Sequence, residues 1–184
     1  MEKLPLHGMV SIAFTVDRVV DLTTLAVGSN PAGMQDSPVA VPYLKDYDAV
    51  QSNDPSSWPL RFDLTNWGLL GAYDGTRRIG GAVLAYDTPG LDLLSQEHDA
   101  LLWDLRVTPD HRGRGVGTAL FAAVESWARR RECHRLLVET QDSNPRACRF
   151  YAARGCTLVR ITRGAYVDFP AETQLLWARS LTEG

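Results

Sequence analysis

The sequence predicts one mixed α/β domain, of the α+β kind, over residues 1–184. Three observations carry that reading: an aromatic-rich hairpin around Asp74-Gly75-Thr76, a strand that runs through a glycine-rich turn into an amphipathic helix, and a closing order of strand, helix, strand, strand. No internal repeat and no shift in composition marks a second domain.

Element by element, Val10, Ile12, Phe14 and Val16 alternate with polar or small residues, the period-two pattern of a half-buried strand. From Gly28 to Pro59 the chain gathers Ser29, Asn30, Pro31, Gly33, Pro38, Pro42, Asn53, Pro55 and Pro59. These predict a long loop with, at most, short helices around Tyr43 to Gln51. Trp67 to Tyr73 and Arg78 to Asp87 form the hairpin arms, and Leu101 to Val107 is the next strand. Val116, Leu120, Val124 and Trp127 recur at helical spacing and form one apolar face. Leu136 to Thr140 is a further strand. Asn144-Pro145 then opens a second helix through Arg154, with Asn as N-cap and Pro in the first turn, and Gly155 ends it. Cys156 to Ile161 and Gln174 to Leu181 close the chain as strands.

Composition narrows the function. The chain is 45% apolar and 22% charged with a net charge of −3, which offers nucleic acid no general attraction and suits a cationic small molecule better. No apolar run approaches the about 20 residues that cross a bilayer. The amino end lacks an apolar segment followed by a cleavage site, so the expected location is the cytoplasm. Cys133, Cys148 and Cys156 are odd in number and lack CxxC spacing, as expected of reduced thiols. His7, His98, His111 and His134 have no metal-like spacing, so no metal is expected. Arg129, Arg130 and Arg131 end a helix, where cations complement the dipole, and are read that way and not as a nucleic-acid patch. The five tryptophans read as scattered core or pocket-wall residues.

The most informative stretch runs from Asp104 to Thr118, where Gly113, Gly115 and Gly117 enter a helix flanked by Arg112 and Arg114. A helix N-terminus offers unpaired N–H groups and partial positive charge, and glycines let a phosphate approach them. The alternative is an ordinary flexible turn. Neither the GxGxxG dinucleotide fingerprint nor the P-loop pattern fits. Arg112-Gly113-Arg114-Gly115-Val116-Gly117 instead matches the Arg-or-Gln, x, x, Gly, x, Gly-or-Ala motif and resembles the GNAT superfamily of acetyl-CoA-dependent N-acetyltransferases. The run from Glu139 to Gly155, with Tyr166, Phe169 and Pro170, is similar to the streptothricin acetyltransferase subgroup. The resemblance covers about Leu102 to Pro170. Cys156, where an aromatic is usual, and Asp168, where an amide is usual, depart from it.

The resemblance implies a central mixed, mostly antiparallel sheet flanked by helices, with its fourth and fifth strands, here Leu101 to Val107 and Leu136 to Gln141, splayed apart. It implies acetyl-CoA as cofactor, bound by about residues 101–160. The backbone at Leu105, Arg106 and Val107 would meet the pantetheine. The turn from Arg112 through Gly113, Arg114, Gly115, Val116 and Gly117 to Thr118 would hold the pyrophosphate, with Asn144, Ala147 and Tyr151 also at the cofactor. The acceptor would be a small-molecule amine, with neither nucleic acid nor membrane as partner. A sheet edge at the carboxyl end offers a surface for a homodimer, by analogy with relatives.

Acetyl transfer to an amine needs a neutral lone pair, an oxyanion donor and an acid for the departing thiolate. Tyr151 is the expected acid, with a phenol of pKa about 10 against a thiol near 8.5; the other reading is a core aromatic of its helix. Asn144 is compatible with a plain N-cap. Asp104 and Glu139 are the candidate bases, or holders of the substrate's charge, the alternative being ion pairs to Arg106 or Arg135. Cys148 reads as core packing and not as a nucleophile. An N-terminal or lysine acetyltransferase of proteins and a non-catalytic CoA sensor are the competing functions.

Overall fold

A computed structural model describes residues 3–31, 33–50, 53–94 and 96–182. The elements are α1 (Leu4–Gly8), β1 (Phe14–Val20), β2 (Asp36–Lys45), β3 (Gly68–Asp74), β4 (Arg77–Tyr86), β5 (Asp99–Val107), α2 (Val116–Arg129), β6 (Arg135–Gln141), α3 (Pro145–Ala152), β7 (Thr157–Arg163) and β8 (Thr173–Ser180). The hydrogen-bonded order is β3-β4-β5-β6-β8-β7 in a six-stranded sheet, with β1-β2 as a second, two-stranded sheet. The chain divides into two compact units, one of residues 1–14, 46–136 and 181–184, the other of residues 15–45 and 137–180.

In the first unit the Asp74-Gly75 signal makes the expected hairpin, with Asp74 opposite Arg77 and Gly68 opposite Leu84. β4 is its innermost strand. Ala82, Val83, Leu84 and Ala85 are fully buried because β3 and β5 cover its edges and α2 packs over the sheet. The helix presents Leu120, Phe121, Val124, Trp127 and Ala128 to this core, the face its 3.6-residue period specifies. A bulge in the β4–β5 register leaves Trp103 without an opposite residue, since Val83 pairs with Asp104 and Leu84 with Leu102.

The second unit is built on β7 and β8, antiparallel with Leu158 opposite Trp177. Val16, Leu137, Val138, Cys148, Cys156, Leu158, Leu175 and Trp177 form its core. The backbone N–H of Gly28 donates to Leu158 O at 2.7 Å, and Asn30 Nδ2 donates to Ala152 O at 2.7 Å, so the segment after β1 is tied to α3 and β7.

Three sequence expectations need correction. The first strand starts at Phe14, after the short α1, and not at Val10; Val10 is buried outside any strand. The loop expected from Gly28 to Pro59 contains a ten-residue strand, β2. Pro38 and Pro42 are tolerated there because β2 pairs only with β1, and two prolines four residues apart lose their N–H donors on the same side of a strand. A 3-10 turn at Tyr47–Ala49 matches the short helix expected nearby, while Gln51 lies outside the described residues. Three of the five tryptophans are clustered and not scattered. Trp58, Trp67 and Trp103 pack with ring centroids 5.4 to 6.3 Å apart, and Phe62 adds a stacked contact to Trp67 at 5.7 Å. No helix among the described residues is long and apolar enough to cross a membrane.

Gly81 on β4 is closely covered. A Cβ there would lie 2.7 Å from His7 Nδ1 and 2.8 Å from the Leu70 carbonyl, and backbone cannot step aside as a side-chain tip can. Gly81→Ala is expected to destabilise the protein by about 1–3 kcal/mol, measured as a lower midpoint in urea with an unchanged slope.

Candidate active site

The glycine-rich turn follows β5 directly. Thr108 leads into a 3-10 turn at Pro109–His111, braced by Thr108 Oγ1 and His111 Nδ1 at 2.9 Å, and the chain then reaches Gly113 (φ +74°) and Gly115 (φ +85°). Only glycine adopts such angles without strain. Nothing lies within 4 Å of where a Cβ would stand on either residue. Gly115 caps α2 without a side-chain cap hydrogen bond, and no acidic residue occupies the first turn. A fourteen-residue helix thus begins at glycines whose Cβ positions are open and carries no acid of its own in the first turn, which fits a pyrophosphate. Arg114 is exposed beside them. Arg112 serves as a brace: its Nε donates to Val107 O at 3.0 Å and its terminal nitrogen to Ala13 O at 3.2 Å and Ser11 O at 3.3 Å. Leu105 and Val107 on β5 stand opposite Ala82 and Gly80 of β4.

Asp104 is buried on β5 and committed to partners. Arg106 donates to both of its oxygens, at 2.9 and 2.8 Å, and His7 Nε2 lies 2.9 Å from Oδ1. The Arg78 guanidinium, 3.2 Å from His7 Nδ1, can only donate, so Nδ1 accepts and Nε2 carries the proton given to Asp104. Burial by itself would raise the Asp104 pKa, but the hydrogen bonds from His7 and Arg106 and the Arg106 charge outweigh it and hold the carboxyl below the usual range. Arg106 also binds Asp48 bidentately, at 2.6 and 2.8 Å, so its side chain is spent inside the unit. The ion-pair alternative describes Asp104.

Glu139 on β6 has the opposite environment. Its donors are neutral: Tyr166 O–H to Oε1 at 2.6 Å, Gln141 Nε2 to Oε1 at 3.3 Å and Gln174 Nε2 to Oε2 at 2.9 Å. Burial raises its pKa, and these hydrogen bonds with the more distant Arg160 offset that only in part. Arg135 does not reach it, being paired with Asp99 at 2.9 and 2.7 Å.

α3 begins as expected, with Asn144 Oδ1 accepting from Ala147 N at 3.1 Å and Pro145 in the first turn. Tyr151 is buried on this helix, edge-on to Phe150 at 5.1 Å. Cys148 is fully buried, its sulfur 3.3 Å from Thr140 Oγ1, and burial pushes its thiol up to about 12, as core packing requires. Sequence reasoning missed Gln174 as a partner of Glu139 and noted Tyr166 only as a point of resemblance. The two lie 35 and 27 residues downstream, beyond any local pattern.

Comparison with known proteins decides the class. Residues 40–156 match the model of the acetyltransferase (GNAT) family. The chain belongs to the GNAT family. A streptothricin acetyltransferase of Escherichia coli is 31% identical over 139 residues, 74% of this chain and 70% of that protein. Streptothricin acetyltransferase A of Bacillus subtilis (strain 168) is 37% identical over 76 residues, 41% of this chain, and the match spans less than half, 44%, of that relative. The fold is shared with a Bacillus anthracis protein provisionally assigned as a streptothricin acetyltransferase and solved in complex with acetyl coenzyme A. The TM-score is 0.72 at 21% identity, covering 98% of this chain and 95% of that one. This GNAT protein is thus an acetyltransferase with acetyl-CoA as its cofactor.

The two carboxylates differ enough to be separated by experiment. Asp104→Asn leaves Arg106 and His7 without a buried anion and is expected to cost about 3–5 kcal/mol of stability, read by chemical denaturation at pH 7. A lowered carboxyl pKa stabilises above the unfolded value, near 4, and the contribution fades as pH falls toward the folded pKa. The wild-type and Asp104→Asn stabilities should therefore converge on acidification below pH 4.

Proposed function

We propose that this chain transfers acetyl from acetyl-CoA to a primary amine of a small cationic acceptor, streptothricin being the first candidate, by direct attack in a ternary complex. The observation that carries the reading is Glu139: a carboxyl raised by burial and held by neutral donors, suited to take a proton from an ammonium near neutral pH. The acceptor class is supported by the names of the Escherichia coli and Bacillus subtilis relatives and by the net charge of −3. Because the family match runs through both compact units, they are read as one acetyltransferase domain. An enzyme drawing on acetyl-CoA is read as cytoplasmic.

Acetyl-CoA supplies the thioester. The Gly113 to Thr118 N–H groups hold its pyrophosphate, the β5 backbone from Leu105 to Val107 its pantetheine, and Asn144 and Ala147 border it at the start of α3. Glu139 removes one proton from the acceptor ammonium and passes it to solvent. Tyr151 gives its phenolic proton to the departing sulfur and is restored by the second proton lost from the nitrogen, so the net products are amide, thiol and one proton. Asp104 keeps a structural place in this scheme, since a carboxyl held below its usual range by a guanidinium is a poor base.

Release of CoA thiol is the assay, with streptothricin, free lysine and an N-terminal peptide pool as acceptors. Saturable release with streptothricin and none with peptides is expected; the reverse would move the acceptor to protein amines, and no release with any would leave a CoA-binding protein. Tyr151→Phe should retain acetyl-CoA binding and lose about 10²-fold in kcat.

Glu139 works only when ionised, and its pKa is raised, so kcat/KM should fall with acid through a pKa above the ordinary glutamate value of about 4.3. Glu139→Gln should abolish that limb. A raised carboxyl pKa means that ionisation costs native-state stability once pH exceeds the unfolded value, so Glu139→Gln should be no less stable than wild type at pH 7.

A further inference from the structure

The hydrogen bonds around Glu139 are unevenly divided. Oε1 accepts from two groups, Tyr166 and Gln141, while Oε2 accepts from Gln174. Each carboxylate oxygen has about two lone-pair sites, so two donors fill Oε1 and one leaves Oε2 with a site to spare. Tyr166 is the node of this arrangement. Its O–H gives the 2.6 Å contact to Oε1, in the range of charge-assisted O–H···O⁻ bonds, and its oxygen accepts from Gln141 Nε2 at 2.9 Å. Gln141 therefore orients the phenol, and the phenol orients the carboxylate.

The loop that carries Tyr166, between β7 and β8, is itself anchored. Phe169 N donates to Tyr166 O at 3.3 Å and Glu172 N to Phe169 O at 3.0 Å. Lys45 Nζ sits 3.6 Å over the Phe169 ring and pairs with Glu172, which also accepts from Ser143 Oγ at 3.0 Å. Lys45 and Glu172 are both buried, so the loop is held at its far end by a charge pair and not by surface contacts.

We propose, resting on the reading of Glu139 as base, that Tyr166 is its positioning residue: by filling Oε1 it leaves Oε2 as the one atom that takes the acceptor's proton. In that step an ammonium N–H bond breaks, an O–H bond forms at Oε2, and the two opposite charges become a neutral amine and a neutral acid. The groups that set the charge of Glu139 are Tyr166 in the loop, Gln174 on β8, Gln141 on its own strand and Arg160 on β7. Tyr166 donates to the ionised form, so removing its hydroxyl shifts the balance toward the acid.

The test is the pH profile of acetyl transfer by Tyr166→Phe, a change at a partly exposed loop position, with unfolding midpoint and the KM for acetyl-CoA as controls. Expected are an acid limb of kcat/KM moved up by about one pH unit, a plateau kcat reduced about ten-fold by loss of orientation, and an unchanged KM for acetyl-CoA. Gln141→Leu, which keeps the phenol and removes its brace, should move the limb in the same direction by less. An unmoved limb in Tyr166→Phe, with Glu139→Gln still abolishing it, overturns the positioning role alone. A limb that survives in Glu139→Gln overturns the base reading and this inference with it.

Discussion

Asp104 and Arg106 hold the first unit together around β5. Desolvating a carboxylate inside a strand costs several kcal/mol, and the protein meets that cost with the guanidinium two residues along the same strand and an imidazole from α1. The consequences spread outward. Arg106 must also reach Asp48 and the Val10 carbonyl, His7 must present Nδ1 to Arg78, and position 81 must carry no side chain for the pair to pass over β4. The segment from His7 to Ala13 is thus tied to β5 through charge at one end and through Arg112, which takes the Ser11 and Ala13 carbonyls, at the other. Arg112 also holds the Val107 carbonyl, so the guanidinium that begins the glycine-rich turn fixes it relative to β5.

Glu139 shows what the second unit does with the same kind of residue. Both acids lie in strands, both are surrounded by protein, and both receive several hydrogen bonds. The difference is that Asp104 has a guanidinium in direct contact and Glu139 has amides and a phenol, so one pKa falls and the other rises. Carboxyl groups driven apart in this way divide between structural and proton-transfer roles. Burial opposes the ionisation of Glu139, the three neutral donors offset that opposition only in part, and this raised carboxyl is what the proposed role as base rests on.

Much of this was legible in the sequence where the signal is local. The Asp74-Gly75 turn, the apolar face of α2 and the Asn144 cap with Pro145 each depend on residues within about two helical turns, and each forms as read. β2 was not legible because its prolines are breakers in a central strand and harmless at the edge, and edge or centre is a property of the sheet. The Trp58, Trp67 and Trp103 cluster was not legible because its members are spread over 46 positions in three separate segments and meet only in the folded chain. Asp104 and Glu139 were equivalent in the sequence. Arg106 stands two residues from the first, close enough to suggest the pair, whereas Tyr166 and Gln174 come to the second from a distant loop and strand.

β6 also bears on the route of transfer. Alternation along the strand sends Glu139 and Gln141 to one face and Thr140 to the other, where its hydroxyl accepts from Trp177 Nε1 at 2.8 Å and meets the Cys148 sulfur at 3.3 Å. A covalent route through an acetylated cysteine needs a thiolate. With its pKa pushed up to about 12, Cys148 is ionised to only about one part in 10⁵ at pH 7. Cys133 is raised to about 11, and Cys156 is fully buried. Burial thus silences Cys148 although the Thr140 hydrogen bond works the other way, and a buried thiol that stays protonated is no carrier of acetyl, in keeping with the direct attack proposed above.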